Sequence, residues 1–304
     1  MRWNQGFDYR TQIAEEADGE ALLGYLVRRY GHSPLREWEA RIAAGLVLLD
    51  STPAATDSVL RRGQLLVWRR PRWQEPSAPL AFTVLAEDEE LVAVAKPAGL
   101  PTLPGAGFLE TTLLHQVRQH APGAAPVHRL GRWTSGVVLF GRTAAARADL
   151  SRQWAAGEIA KTYRALATGN PGGDEFTIMH PIGPVPHPLL GSVHAASATG
   201  KPATSHIAVL ERRARAFLCD VEIATGRPHQ IRIHLAAAGH PLVGDPLYPA
   251  GGVPEADARA LPGDAGYHLH AAELCFRHPR DGSRVMIRCE PPPLLRHSGV
   301  RPPA

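Results

Sequence analysis

The chain has 304 residues, 44% hydrophobic and 20% charged, with a formal net charge of +4 and a pI near 9.2. That is enough chain to bury a substantial core, and no apolar run approaches the ~20 residues that a membrane span needs. Cys219, Cys275 and Cys289 lie far apart with no CxxC pairing, which excludes a disulfide framework and a thiolate zinc site.

The first sixteen residues are polar and carry acids, so they do not read as a signal peptide, and a cytoplasmic protein is expected. A helical pattern runs from Glu20 to Tyr30. A second runs from Pro34 to Gly45, with Ser33 as the expected N-cap and Gly45 as the stop. Short strands are predicted at Leu46–Leu49 and Gln64–Trp68. This order resembles the S4-type RNA-binding module, in which a basic helix face meets phosphates. Arg28, Arg29, Arg36 and Arg41 would form that face; an ordinary solvated helix pair is the alternative. Residues 1–70 are thus expected to form a small module, and the proline-bearing stretch 71–79 a linker to a second domain over 80–304.

In that second domain Leu91–Ala95 and Val137–Gly141 read as buried strands. A helix follows from Thr143, its N-cap, to Gly157. Lys161–Thr168 and Phe217–Ala224 alternate with period two, so Phe217, Cys219, Val221 and Ile223 share a face. Pro228–Ala238 reads as a helix in which Ile231, Leu235 and Ala238 form an apolar stripe, freeing His229 and Arg232 to face a cleft. Its N-terminus beside Arg227 is a natural phosphate seat. His268 and His270 are expected on an edge strand, and Pro291–Ala304 is expected to be loose.

Of the 33 basic side chains, all but Lys96, Lys161 and Lys201 are arginine. A GC-rich genome accounts for such a bias, and the surviving lysines would mark sites that need a compact ammonium. All three fall within a series of short motif segments. The series opens with Asp88–Pro101, containing Lys96-Pro-Ala-Gly99, and Val127-His-Arg-Leu-Gly-Arg-Trp-Thr-Ser-Gly136. It continues with Lys161-Thr-Tyr163, Pro181-Ile-Gly183 and Gly200-Lys-Pro202. Thr225-Gly-Arg-Pro-His-Gln-Ile-Arg-Ile-His234, Pro241–Tyr248 and Leu269-His-Ala271 close it. No segment is strong evidence alone; their order and spacing are specific.

The series resembles the RluA-type pseudouridine synthases over roughly residues 82–292. The resemblance implies an α+β fold: a mixed, largely antiparallel sheet flanked by helices, with a basic cleft. It also implies isomerisation of uridine to pseudouridine in structured RNA, ribosomal or transfer, with no metal and no cofactor. In this chemistry the base leaves its stack, the C1′–N1 bond breaks, and the ring turns and rejoins through C5. By resemblance, Tyr163 matches the base-stacking tyrosine, which is also proposed to help remove the C5 proton. Arg232 matches the arginine that pairs with the catalytic carboxylate, and Arg129 the arginine that takes part in base flipping. Arg132, Arg227 and His229 are expected beside the RNA. Lys96 and Lys201 are expected to bond phosphates or backbone carbonyls.

The sequence departs from that pattern at the catalytic position, where the family's aspartate is Gly131. Trp133 also sits where a small or acidic residue is more usual. Glycine can be neither nucleophile nor base, so Arg232 is expected to lack a partner. Asp149, Glu158, Glu222 and Asp245 are the candidate replacements, each with a structural reading as cap, turn or solvated acid. A catalytically silent RNA binder, acting as assembly factor or chaperone, is therefore the alternative function. A zinc site built on His128, His229 and His234 lacks the ligand spacing, and Thr134-Ser-Gly136 is no hydrolase elbow. The expected partner is RNA, with no membrane, and the expected state is a monomer.

Overall fold

A computed structural model describes residues 2–298, so the end of the Pro291–Ala304 tail, 299–304, lies outside the described residues. The chain divides into two compact units, one ending at Pro76 and one starting at Ser77.

The first unit contains β1 (Arg2–Trp3), β2 (Phe7–Gln12), α1 (Leu22–Arg29), α2 (Leu35–Ala43), β3 (Val47–Leu49), β4 (Thr52–Pro53), β5 (Leu65–Arg70) and β6 (Gln74–Glu75). Its four-stranded sheet runs β2-β5-β3-β4, and Leu22, Leu26, Trp38, Ile42 and Leu66 fill the core against the helices. Pattern reading misses β2, because Phe7 and Tyr9 alternate with polar residues yet stay largely exposed. Ser33 does not cap α2: Pro34 stands at the N-cap, and the Ser33 hydroxyl accepts from Arg41 at 2.8 Å instead. The stretch expected to be a linker is partly paired, since Gln74–Glu75 bonds to Arg2–Trp3 and Asn4 donates to the Glu75 carboxylate at 2.9 Å.

The second unit continues with β7 (Thr83–Glu87), β8 (Leu91–Lys96), α3 (Leu113–His120), β9 (Ala125–Pro126), β10 (Ser135–Gly141) and α4 (Ala144–Ala155). Next come β11 (Ala160–Thr168), β12 (Glu175–Ile178), β13 (Ile182–His187), β14 (Gly191–Ala196), β15 (Ser205–Arg212) and β16 (Ala216–Ile223). It ends with α5 (Gln230–Ala237), β17 (Leu269–Arg277) and β18 (Arg284–Arg288).

One ten-stranded sheet runs β12-β15-β16-β11-β17-β10-β8-β7, with β18 beside β17 and β9 beside β10. Only the β10–β17 pair is parallel, so the sheet is mixed and largely antiparallel. Both of its faces are buried, which is why β8 and β10 read as unbroken apolar runs. Val92, Val94, Val138 and Phe140 join one core cluster, while Leu91, Ala93, Val137 and Leu139 join another. Thr143 caps α4 as expected, accepting from the Ala146 N–H at 3.0 Å.

β17 is central, which corrects the edge-strand expectation: His270 is 2% exposed and bonds Ser135 and the Cys289 carbonyl. Gly136 (φ +111) lets β10 approach it, because a Cβ there would stand 2.2 Å from the Ala271 carbonyl oxygen. The described part of the tail is packed, since a turn at Pro293–Leu295 buries Leu295 and Arg164 donates to its carbonyl. Among the described residues no helix is long and apolar enough to cross a membrane.

Candidate active site in a basic cleft

A cleft of about 610 Å³ opens in the second unit. The His128–Gly136 loop, β11, the Thr225–Arg232 segment and the loop before β17 all reach it. Gly131, Tyr163, Arg232, Arg129, Arg132, Arg227 and His229 therefore line one cavity.

The loop carrying Gly131 is clamped from below. Lys96 is 1% exposed and donates to three carbonyls: Leu100 at 2.7 Å, Arg132 at 2.9 Å and Pro97 at 3.0 Å. Three donors meet three acceptors, which favours the ammonium, although burial and the Arg132 charge push Lys96 down to about 7. The Thr102 hydroxyl bridges both backbone groups of Leu130, at 3.0 and 3.2 Å. Lys96 thus bonds carbonyls, and its burial corrects the expectation that it meets RNA. Lys201 is exposed and lies outside the cleft lining.

The helix side is as closely built. Gln230 accepts from the Arg227 N–H and the Thr225 hydroxyl, and donates to the Thr204 carbonyl and Ser205. His229 takes the N-cap of α5 in the left-handed region, φ 54, so the chain turns sharply before the helix. Tyr248 donates its one proton to the His194 carbonyl at 2.8 Å. The 2.7 Å contact between its oxygen and His229 Nδ1 must therefore use an Nδ1–H donor. Burial first, then the Arg232 charge, lowers His229 to about 4, and the ring is neutral with Nε2 unprotonated. His234 is buried and bonds Ser205 and the His180 carbonyl, so the two histidines of this run do different work.

Arg232 has a partner after all. Its Nε and Nη2 meet Asp245 Oδ2 and Oδ1 at 2.6 and 2.8 Å, and Nη1 donates to the Pro262 carbonyl at 2.9 Å. The guanidinium face lies 4.2 Å from the Tyr267 ring centre and 4.9 Å from that of Tyr248. The expectation of an unpartnered cation is thereby corrected. Asp245 has no exposed side-chain surface and does not line the cleft.

The other acids fare no better as replacements. Asp149 and Glu158 bond Arg152, and Glu222 is exposed on β16; none lines the cleft. The lining holds Arg129, Arg132, Lys161, Arg227 and Arg232, and no aspartate or glutamate among the described residues. Arg129 is exposed, and its side chain makes no hydrogen bond or ion pair with a described residue. Arg132 is tied to the Gly99 carbonyl at 3.1 Å, Arg227 to that of Pro202 at 3.1 Å. Tyr163 is 8% exposed, and burial pushes its phenol up to about 12. The neutral phenol presents its ring to the cleft. Among the described residues no group of three or more His, Cys, Asp or Glu could hold a metal ion.

Sequence reasoning missed Tyr267, Trp154 and the partner of Arg232. His128 and Lys161 flank the Trp154 ring, at 4.3 and 5.0 Å, and close one end of the cleft. A lone tyrosine before Leu269-His-Ala271 carries no pattern, so only the folded geometry singles it out. In the first unit, Arg28, Arg29 and Arg36 are exposed, Arg28 pairing with Glu20 at 2.6 Å. Arg41 is instead wedged between Trp38 and Trp68, 4.6 and 4.5 Å from their ring centres, and bonds Glu37. That correction removes it from the expected phosphate-facing set.

A deep basic cleft over a largely antiparallel sheet, holding an aromatic face and a free arginine, is a site built to receive a base on an anionic backbone. The family model for RNA pseudouridylate synthase matches residues 90–237. An uncharacterized RNA pseudouridine synthase of Synechocystis sp. is 41% identical over 90% of this chain and 95% of its own length. The ribosomal large subunit pseudouridine synthase D of Neisseria meningitidis is 33% identical, covering 91% of this chain and 76% of that protein. Among solved structures, human RNA pseudouridylate synthase domain containing 1 superposes with a TM-score of 0.55 at 25% identity, covering 73% of this chain and 88% of that one. The chain belongs to the RNA pseudouridylate synthase family.

Proposed function

We propose that this protein isomerises uridine to pseudouridine in structured RNA, with ribosomal RNA as the substrate and no cofactor. The observation that carries this is the convergence of Arg129, Tyr163 and Arg232 with the His128–Gly136 loop on one cleft of about 610 Å³. The cleft supplies the phosphate-binding charge and the aromatic support that a flipped base needs.

In this reading Arg129, whose side chain bonds none of the described residues, takes part in base flipping, and Tyr163 supports the ring while it turns. Arg132, Arg227 and the neutral His229 hold the backbone and sugar around it. Arg28, Arg29 and Arg36 of the first unit add phosphate contacts, as an S4-like module would. The large-subunit enzyme from Neisseria supports ribosomal RNA as the substrate class. Three buried, unpaired cysteines fit a reducing cytoplasm, and the protein acts there as a monomer.

Gly131 favours a silent binder on chemical grounds alone. Likeness to the ribosomal large subunit pseudouridine synthase D of Neisseria meningitidis over nine-tenths of the chain favours the active reading. The test is release of tritium from C5 of uridine in total RNA taken from cells lacking the gene. Release confined to the large-subunit ribosomal RNA fraction is the expected outcome. No release from any fraction would overturn the proposal.

A further inference from the structure

The isomerisation proposed above needs a reacting group at the ribose, and the cleft lining contains no carboxylate. Gly131 does not adopt the left-handed region, so its backbone would accept any side chain. The space is tight on one side. A Cβ placed there would stand 3.0 Å from Tyr267 Oη and 3.4 Å from Thr134 Oγ1. On that side residue 131 is bounded by a phenol oxygen, which stands where the side chain of an aspartate would reach.

Tyr267 is held as a reacting group must be. It lines the cleft and is 5% exposed. Its hydroxyl is 3.4 Å from Thr134 Oγ1, and its ring lies on the face of Arg232. Asp245 grips the edge of that guanidinium and leaves the face to the aromatic rings. The ion pair thus orients the arginine, and the arginine orients the phenol.

Resting on the isomerisation reading, we propose that Tyr267 is the catalytic residue at the ribose, its hydroxyl replacing the carboxylate that Gly131 lacks. Tyrosine serves as the nucleophile in some glycoside hydrolases, so the chemistry is within its range. Oη adds to C1′ as the C1′–N1 bond breaks. The bonding pair leaves with N1, and the phenol proton follows it, giving uracil protonated at N1. After the ring turns, C5 adds to C1′ and the C1′–Oη pair returns to the tyrosine oxygen. The C5 proton passes to that oxygen and restores the phenol. Two displacements leave the sugar configuration unchanged.

The test compares the native protein with Y267F and G131D/Y267F on total RNA labelled with C5-tritiated uridine, from cells lacking the gene. Single-turnover release and retention of the same RNA on filters are both measured. Y267F keeps the ring on Arg232 and removes only the oxygen. Its release should fall at least 100-fold while RNA retention stays within threefold. G131D/Y267F, with a carboxylate returned and the phenol oxygen gone, should release at least tenfold faster than Y267F. A Y267F rate within tenfold of native overturns the assignment and leaves the isomerisation reading intact. Loss of RNA retention in Y267F also overturns it, placing Tyr267 in the RNA-holding frame. A double variant no faster than Y267F overturns the replacement of the carboxylate. No release by the native protein overturns both readings together.

Discussion

Arg232 and Asp245 form a two-point ion pair under the cleft, Nε to Oδ2 at 2.6 Å and Nη2 to Oδ1 at 2.8 Å, with side-chain exposures of 3% and 0%. Asp245 also accepts from the Leu247 and Tyr248 N–H groups, so its turn and the arginine are locked together. Such a pair orients more than it stabilises, but breaking one half strands a buried charge. Asp245→Ala should therefore destabilise the second unit by about 3–5 kcal/mol. Denaturant midpoints with an unchanged slope would measure this, and a loss below about 1 kcal/mol would show that Arg232 finds another partner.

Arg129 and Arg232 should separate in their salt dependence. Arg232 is already neutralised within the protein, so its loss should leave the salt slope of RNA affinity unchanged. Arg129 is exposed and unpaired, so Arg129→Ala should lower affinity and reduce that slope by about one. Filter binding across a salt series reads both, and equal slopes for native and Arg129→Ala would refute the phosphate contact.

Returning the family's aspartate should not by itself restore a conventional site. In Gly131→Asp the new Cβ meets Tyr267 Oη at 3.0 Å, on an exposed residue of a loop clamped by Lys96 and Thr102. Crowding at an exposed position stays at or below the low end of core overpacking, about 1 kcal/mol, so the variant should be slightly less stable and release tritium no faster than native. A stable Gly131→Asp variant with faster release would mean that Tyr267 moves aside freely.

Two histidines should steepen the acid side of the stability profile. Burial pushes His128 to about 3 and His229 to about 4, below the ordinary 6.5. Between those values and 6.5 the unfolded chain binds the extra protons. The contribution is thus complete above pH 6.5 and is lost as pH falls. Each group adds about 1.4 kcal/mol per pH unit to the slope near pH 5. His128→Asn should lower that slope by about this amount, measured by denaturation from pH 4.5 to 6.5. An unchanged slope would show that His128 titrates normally.

Much of the fold was legible because it follows short-range rules. Continuous apolar runs marked β8 and β10 as buried on both faces. Period-two alternation placed Phe217, Cys219 and Val221 in one core, and Thr143 capped α4 from three residues away. Motif order alone pointed to one cleft for Arg129, Gly131, Tyr163, His229 and Arg232, and all five line it. β2 escaped notice because its partner strand, not its own sequence, supplies its hydrogen bonds.

What the sequence determined by itself was the family, the strand and helix pattern, and the absence of an aspartate at residue 131. Only the tertiary structure decided what stands in that space and who balances the charge. The phenol of Tyr267 beside Gly131, Asp245 under Arg232 and three carbonyls around Lys96 are contacts between segments set by loop packing. No local periodicity encodes such contacts, because the partner's identity depends on where a distant turn places one side chain. Secondary structure is written in neighbours along the chain; the chemistry of this cleft is written in neighbours across it.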